Sequence, residues 1–395
     1  MFPEQESSTG RLQSIDAYRG FVMLAMASGG AAALAGLAES GDSALSLFLQ
    51  VLSQQLEHVL WRGCTFWDLI QPSFMFLVGV AMPFSHAHRR ARGDSWLRLF
   101  GHALVRSLVL VALAVFLASH GRRHTDYSFV NVLGQIGLGY TFVYVLLGRR
   151  PAVQLAAAVA ILAGYWLLFA FYPLPGPSFV RNLGTNEPHL VMRGFFAHWN
   201  KNTNPAALVD RWFLNLFPHS PDHPFEFNAG GYATLNFVPS IATMLFGVLA
   251  GELLRSNRGR LAKARILLLA GAACWVLGQI LDAYVCPSVK RIWTPTWVVA
   301  STAWTCWLLG AFYFVIDVAG YRRWSFPLVV VGMNSIAIYL MSQLMKPFVH
   351  ASLRTHFGWD LFAGPYGPLI QSLCTLLVFW LICLWLYRQK MFIKI

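Results

Sequence analysis

The chain has 395 residues, 56% of them hydrophobic and only 12% charged, with a formal net charge of +13 and a mean hydropathy of +0.52. Soluble domains carry about a quarter charged residues, and half that share cannot cover a water-facing surface. The balance excludes an ordinary soluble enzyme, a disordered chain and a disulfide-stapled secreted module, and describes an all-α polytopic membrane protein.

A helix crossing the bilayer needs about 20 mostly apolar residues, so the chain has room for about ten such helices in one domain covering 1–395. The polar opening MFPEQESSTG does not read as a cleavable signal peptide. Apolar runs predict spans at 18–38, 66–85, 97–119, 129–147, 151–172, 234–254, 265–285, 296–317, 326–348 and 366–387. Segment 43–60 (SALSLFLQVLSQQLEHVL) is apolar on one helical face and polar on the other, which predicts an amphipathic helix along the membrane surface. Residues 173–233 form the one long polar connection.

Lys and Arg set the orientation. Connection 87–98 carries four arginines, 149–150 and 322–323 are Arg-Arg, 255–265 carries five basic residues and the tail RQKMFIKI adds three. Every second connection is therefore basic. That predicts both termini in the cytoplasm and the long 173–233 loop outside, and it assigns the positive charge to topology, not to nucleic acid. The six cysteines show no metal-ligand spacing, and a bond between Cys64 and Cys286 is disfavoured. HSPDH (219–223) sets two histidines four apart, but Pro221 breaks any helix there, and no metal is expected.

Ionisable groups at membrane depth are costly and commonly face a cavity or a partner. Asp68, in WRGCTFWDLIQPSFMFLVG, is the clearest case; ten residues before it stands His58, with Glu57 beside it. An imidazole suits general-base work because its ordinary pKa lies near 6.5, although an interfacial His anchoring a surface helix is the blander reading. Asp16 and Arg19 lie three apart on one helix face, where they pair or hold an anionic cofactor. Asn131, Gln135, Asn236, Glu252, Gln279, Asp282, Asn334, Ser335 and Gln343 interrupt apolar runs, and most such residues join helices by hydrogen bonds. There is no P-loop, no G-x-S-x-G elbow, no H-E-x-x-H and no dinucleotide fingerprint. Paired broken spans, which would favour a transporter, are also missing from the pattern.

Several motifs resemble one family. RLQSIDAYRG (11–20) and HVLWRGCTFWDLIQPSFMFLVG (58–79) resemble the opening stretches of the heparan-α-glucosaminide N-acetyltransferases. NVLGQIGLGY (131–140), GGYATLNFVPSIATMLFGVLAG (230–251), VKRIWTPTWVV (289–299) and FPLVVVGMNSIAIY (326–339) follow in matching order. The resemblance implies transfer of acetyl from cytoplasmic acetyl-CoA to the amine or hydroxyl of a glucosamine-type sugar on the far side of a bacterial inner membrane. It places the active-site histidine on His58, with Asp68 and Asn334 as its catalytic companions. Asp16, Arg19, Arg89, Arg90, Arg258 and Gln135 are then expected to contact the cofactor. Trp61, Tyr232, Asn236, Lys290, Trp293 and Ser335 are expected to contact the acceptor. One departure is that MASGGAAALAGLAES (26–40) holds no Asn where the animal enzyme has one shortly before its histidine. Bacterial members are also grouped as N-acetylglucosamine transporters, which is the alternative; an acyltransferase acting on cell-wall or lipid-linked glycan is a third reading. The expected partners are the lipid bilayer and an amino sugar or glycan, with a homodimer left open.

Overall fold

Apolar runs long enough to match a bilayer satisfy their backbone only as helices, and helices are what the chain forms. The structure is a computed structural model, and it describes residues 12–34, 37, 44–174, 190–218 and 224–393. The His219–His223 pair lies outside those residues.

In chain order the helices are α1 (Gln13–Ala27), α2 (Ala44–Gln55), α3 (Ile70–Ala91), α4 (Trp96–Ser119), α5 (Val132–Leu146), α6 (Pro151–Ala170), α7 (Pro205–Leu214), α8 (Phe237–Arg255), α9 (Arg260–Tyr284), α10 (Pro295–Tyr313), α11 (Phe326–Met333), α12 (Ser335–Leu344), α13 (Lys346–Phe357) and α14 (Gly367–Arg388). Short 3₁₀ turns lead into α3 and α8, and a π turn, Phe314–Val318, extends α10. No strand forms among the described residues; one isolated antiparallel bridge joins Arg62 to Val289.

Every expected apolar segment contains a helix, but among the described residues seven are long and apolar enough to cross a membrane alone, or eight with one broken pair. Two reasons account for the difference from about ten. Helices α1 and α5 have 15 residues each, about 22 Å at 1.5 Å per residue, short of a hydrocarbon core of about 30 Å. The expected 326–348 span is bent by 67° between α11 and α12. The first segment also shifts: the helix starts at Gln13 and stops at Ala27, because Gly29 (φ 88°) and Gly30 (φ 62°) take left-handed conformations that end it. The amphipathic segment is helical over Ala44–Gln55, with Leu47, Phe48 and Val51 exposed along one side.

The peripheral helices show apolar faces outward: Leu104 and Leu108 on α4, Leu269 and Val276 on α9, Leu373 and Leu377 on α14. These surfaces contact the lipid bilayer. At the centre, α3 and α8 pack backbone to backbone, and an added Cβ at Gly79 or Gly247 would strike the Met244 or Phe76 carbonyl oxygen. The same device joins α1 to α11 through Gly20 and Gly332. Lipid tails supply no hydrophobic drive between helices, so such close approach is what holds them.

Gly247→Val should therefore lower the melting temperature in detergent markedly, since overpacking costs about 1–3 kcal/mol. Gly101→Ala, which meets nothing within 4 Å, should leave it unchanged or raise it; equal losses in both variants would refute the close-packing account.

Candidate active site

Three connections meet at the end of the bundle away from Arg89 and Arg90, called here the loop end. The first runs from α2 to α3. Helix α2 stops three residues before His58, so His58 stands in irregular chain and not, as the pattern suggested, at the helix end. The chain then turns back through Thr65 into the 3₁₀ turn Trp67–Leu69, which carries Asp68. His58 Nδ1 lies 2.7 Å from Asp68 Oδ1. The backbone N–H groups of Val59 and Thr65 donate to Asp68 Oδ2 at 3.2 and 3.3 Å. The Thr65 hydroxyl, with one proton to give, stands between Glu57 O (2.5 Å) and Asp68 Oδ2 (3.0 Å).

The second connection links α9 to α10. Thr294 caps α10 by accepting from the Trp297 N–H, and Pro295 fills the first helical position, where a missing N–H costs nothing. Ahead of the cap, Trp293 takes a left-handed conformation (φ 47°) while 1% exposed, and its Nε1 donates to Thr243 Oγ1 at 3.2 Å. A bulky residue held there is strained backbone, of the kind that clusters at functional sites. The turn delivers Lys290, whose Nζ donates to Asp68 Oδ1 at 3.2 Å. Burial pulls this ammonium below the ordinary lysine range, against the opposing pull of the Asp68 carboxylate. Arg62 clamps the same two segments, reaching Asp282 Oδ2 at 2.7 Å, and Gly63 N donates to Ser288 O at 3.0 Å.

The third connection contributes residues 228–236. Arg291 donates to Gly230 O at 2.7 Å and to Val59 O at 3.3 Å, and its guanidinium lies 5.4 Å from the centre of the Tyr232 ring. Asn236 Nδ2 donates to Arg291 O at 2.8 Å. Trp61 donates to Trp199 O at 3.0 Å and packs against Gly231, whose φ of 76° no side chain there would tolerate easily. Beyond Tyr232 opens a cavity of about 1450 Å³ lined by Asp210, Arg122, Arg123, Tyr127 and Glu226 among others.

The tautomer of the neutral histidine follows from its neighbours. Lys290 Nζ, 3.2 Å from His58 Nδ1, carries donors only, and so does a protonated Nδ1; the acceptor between them is Asp68 Oδ1. In the neutral ring with its proton on Nδ1, Nε2 bears the lone pair, and no hydrogen bond to it forms among the described residues. The His58 side chain is 40% exposed, whereas Asp68 and Lys290 are 1% and 4% exposed. Chemically, such an arrangement can serve as an oriented general base backed by a buried carboxylate and cation.

Thus the structure brings together His58, Asp68, Lys290, Trp61, Tyr232, Asn236 and Trp293. It does not bring in Asn334, which sits at the α11–α12 bend with its Oδ1 accepting from the Ile393 N–H of the tail; Ser335 follows it there, half-buried. Gln135 is buried near the loop end, donating to Phe129 O and Thr234 O, far along the chain's helices from Arg89. Among the expected cofactor contacts, Arg19 lies 3.7 Å from Asp16 on α1. Arg89 lines a groove with α4 and α5, and Arg258 lines a different cavity beside α8 and α9. Cys286 is buried with its Sγ 3.0 Å from Thr296 Oγ1, and Cys64 is a free thiol, so the two are not bridged. Sequence reasoning missed Arg62 and Arg291; the signal available was their presence in connections otherwise poor in basic residues.

The family model described as "Heparan-alpha-glucosaminide N-acetyltransferase, catalytic" matches residues 11–286. The chain belongs to this family. Among curated proteins it is similar to heparan-alpha-glucosaminide N-acetyltransferase of Homo sapiens, 26% identical over 430 aligned positions that cover 98% of this chain and 60% of that protein. The Mus musculus protein of the same name is 24% identical, with 99% of this chain and 61% of that protein covered. The chain thus spans about three-fifths of the length of these relatives. His58 and Asp68 fall inside the matched family segment, while Lys290 lies four residues beyond it.

Lys290→Met should destabilise the protein by about 3–5 kcal/mol, because it strands a buried carboxylate. Adding Asp68→Asn should recover part of that loss, which thermal melts of both single variants and the double variant will read as a coupling. Additive losses would show that the pair does not act as a unit. Asp210 yields a pH test: burial pushes its carboxyl up to about 6, although it accepts from the Thr234 N–H. The folded state then holds this proton longer than the unfolded chain, whose Asp titrates near about 4, so this group's contribution to stability falls as pH rises from about 4 to about 6. In Asp210→Asn that component of the melting profile should vanish.

Proposed function

We propose that the chain is an acetyltransferase that moves acetyl from acetyl-CoA to the amine of a glucosamine-type sugar at the loop end. The observation that carries the reading is the His58–Asp68–Lys290 cluster, with Nδ1 engaged and Nε2 unoccupied. His58 Nε2 takes a proton from the acceptor amine as its nitrogen attacks the thioester carbonyl. The C–S bond then breaks and the departing thiolate receives that proton from the imidazolium. Asp68 holds the ring in its productive tautomer and stabilises the positive charge, and Lys290 keeps the carboxylate ionised. The acceptor enters through the large cavity past Tyr232, whose ring offers a stacking face backed by Arg291. Asn334 is left out of this step because it stands at the α11–α12 bend, outside the three connections that hold His58, although its Nδ2 is a buried donor with no partner among the described residues. The excess of basic residues at the opposite end, read as the cytoplasmic side of a bacterial inner membrane, supports a CoA nucleotide bound there, with Arg19, Arg90 and Arg258 as its candidate contacts.

One feature favours the transporter alternative: the bend at Asn334, since broken spans mark substrate sites in secondary transporters. The description fits less well here because those breaks come in pairs, and only one bent pair is present among the described residues.

With radiolabelled acetyl-CoA and glucosamine, His58→Ala should abolish transfer, and Asp68→Asn should lower it by about 10²–10⁴-fold, the usual share of acid–base catalysis. Undiminished transfer in His58→Ala sinks the assignment. Flux of labelled N-acetylglucosamine into proteoliposomes without CoA would favour the transporter, and transfer to lipid-linked glycan alone would replace the acceptor.

A further inference from the structure

At the basic end, away from the cluster just described, three helix faces enclose a groove of about 350 Å³. Its polar lining is Ser85, His86 and Arg89 on α3, His102 and Arg106 on α4, and Tyr140 and Tyr144 on α5. Arg106 is the unusual member. Trp96 starts α4, so Arg106 stands about 15 Å along it at 1.5 Å per residue, inside a candidate membrane span. A charge at that depth is expensive unless it is paired or reaches polar surroundings.

The pairing available to Arg106 is weak. Its guanidinium lies 4.7 Å from the centre of the Tyr140 ring, and Nη1 donates to Tyr140 OH at 3.4 Å. Its Nε is buried with no hydrogen-bond partner. Tyr144 OH is taken up by His86 Nδ1 at 3.1 Å. Among the described residues no carboxylate lines the groove, and Arg89 and His102 stand exposed at its mouth. The wall beside them is apolar and faces outward, through Val105 (59% exposed) and Val109 (39%).

We propose that this groove is a binding site for the phosphate headgroup of an anionic phospholipid, with an acyl chain lying along Val105 and Val109. Arg106 and Arg89 supply charge-assisted donors to the phosphate oxygens, His102 adds a third at the mouth, and the two tyrosine hydroxyls line the floor. The same phosphate chemistry exists on CoA, but a wall open to the hydrocarbon region suits a molecule that is already in the membrane. The assignment moves Arg89 from the nucleotide to the lipid.

The full-length protein in mild detergent can be titrated with phosphatidylglycerol, phosphatidylcholine, inorganic phosphate or CoA, reading bound lipid by native mass spectrometry and the melting temperature in parallel. Phosphatidylglycerol should bind and raise the melting temperature, phosphatidylcholine should do so less, and neither phosphate nor CoA should displace it. Arg106→Gln should weaken phosphatidylglycerol about tenfold, roughly the loss of one charged hydrogen bond. Arg323→Gln, exposed at the same end but outside the groove, should bind as the wild type does. If Arg106→Gln does not fold, the Arg89→Gln/His102→Gln double variant at the exposed mouth carries the test, with at least a threefold loss expected. Equal binding of both lipids, displacement by CoA or phosphate, unaltered affinity in the groove variants or an equal loss in Arg323→Gln would each overturn the proposal.

Discussion

A carboxylate at 1% exposure is the constraint on which the loop end depends. An ion taken out of water costs several kcal/mol even after relaxation, and it is tolerated only where opposite charge and donors converge on it. Asp68 meets that demand with groups from two distant stretches: the His58 and Val59 turn ten residues upstream, and Lys290, 222 residues downstream. Satisfying the carboxylate therefore closes the α2–α3 connection onto the α9–α10 connection. The Arg62–Asp282 ion pair and the Arg62–Val289 bridge hold the same two segments from the outer side. Arg291 extends the junction to a third segment by binding carbonyls of Val59 and Gly230.

How far this was legible in the sequence differs by level. Helices were legible because lipid-facing apolar runs such as Leu373, Leu377 and Leu381 leave little alternative in a chain so poor in charge. Their ends were less so. The Ala/Gly-rich stretch after Ala27 is apolar enough to pass for membrane helix, yet the positive φ of Gly29 and Gly30 ends the helix there, and composition does not register φ. Likewise a hydropathy window runs smoothly across Asn334, because Phe326–Met333 and Ser335–Leu344 are both apolar. The bend is a backbone event at one residue.

At the site, His58 and Asp68 were legible locally, as an imidazole and a carboxylate ten residues apart at the mouth of a span. Lys290 was legible only through the family motif, since 222 residues of intervening chain hide its partner. Arg291 and Arg62 were hidden for a different reason. Positive residues in this chain report the side of the membrane they face, which assigns a side without assigning a position. The expected cofactor cations show the same effect, for Arg19, Arg89 and Arg258 share an end of the bundle but line three separate places.

The location of the imidazole in irregular chain also has a physical reason. In the proposed role, the base needs one ring nitrogen held rigidly and the other open to approach. On a buried helix face, the neighbouring turns would crowd the second nitrogen, and the first could be held only by what an adjacent helix supplied. Where three connections meet, each supplies one requirement: the 3₁₀ turn the carboxylate, the capped start of α10 the cation, and the 228–236 segment the wall facing the large cavity. Rigidity then comes from devices at the ends of elements. The Thr294 cap, Pro295 and the strained, fully packed Trp293 fix where Lys290 emerges, and through Asp68 they fix the imidazole. A substitution at Trp293 that relaxed its left-handed backbone would act on His58 without touching it, because the strain is maintained by the same packing that aims the lysine.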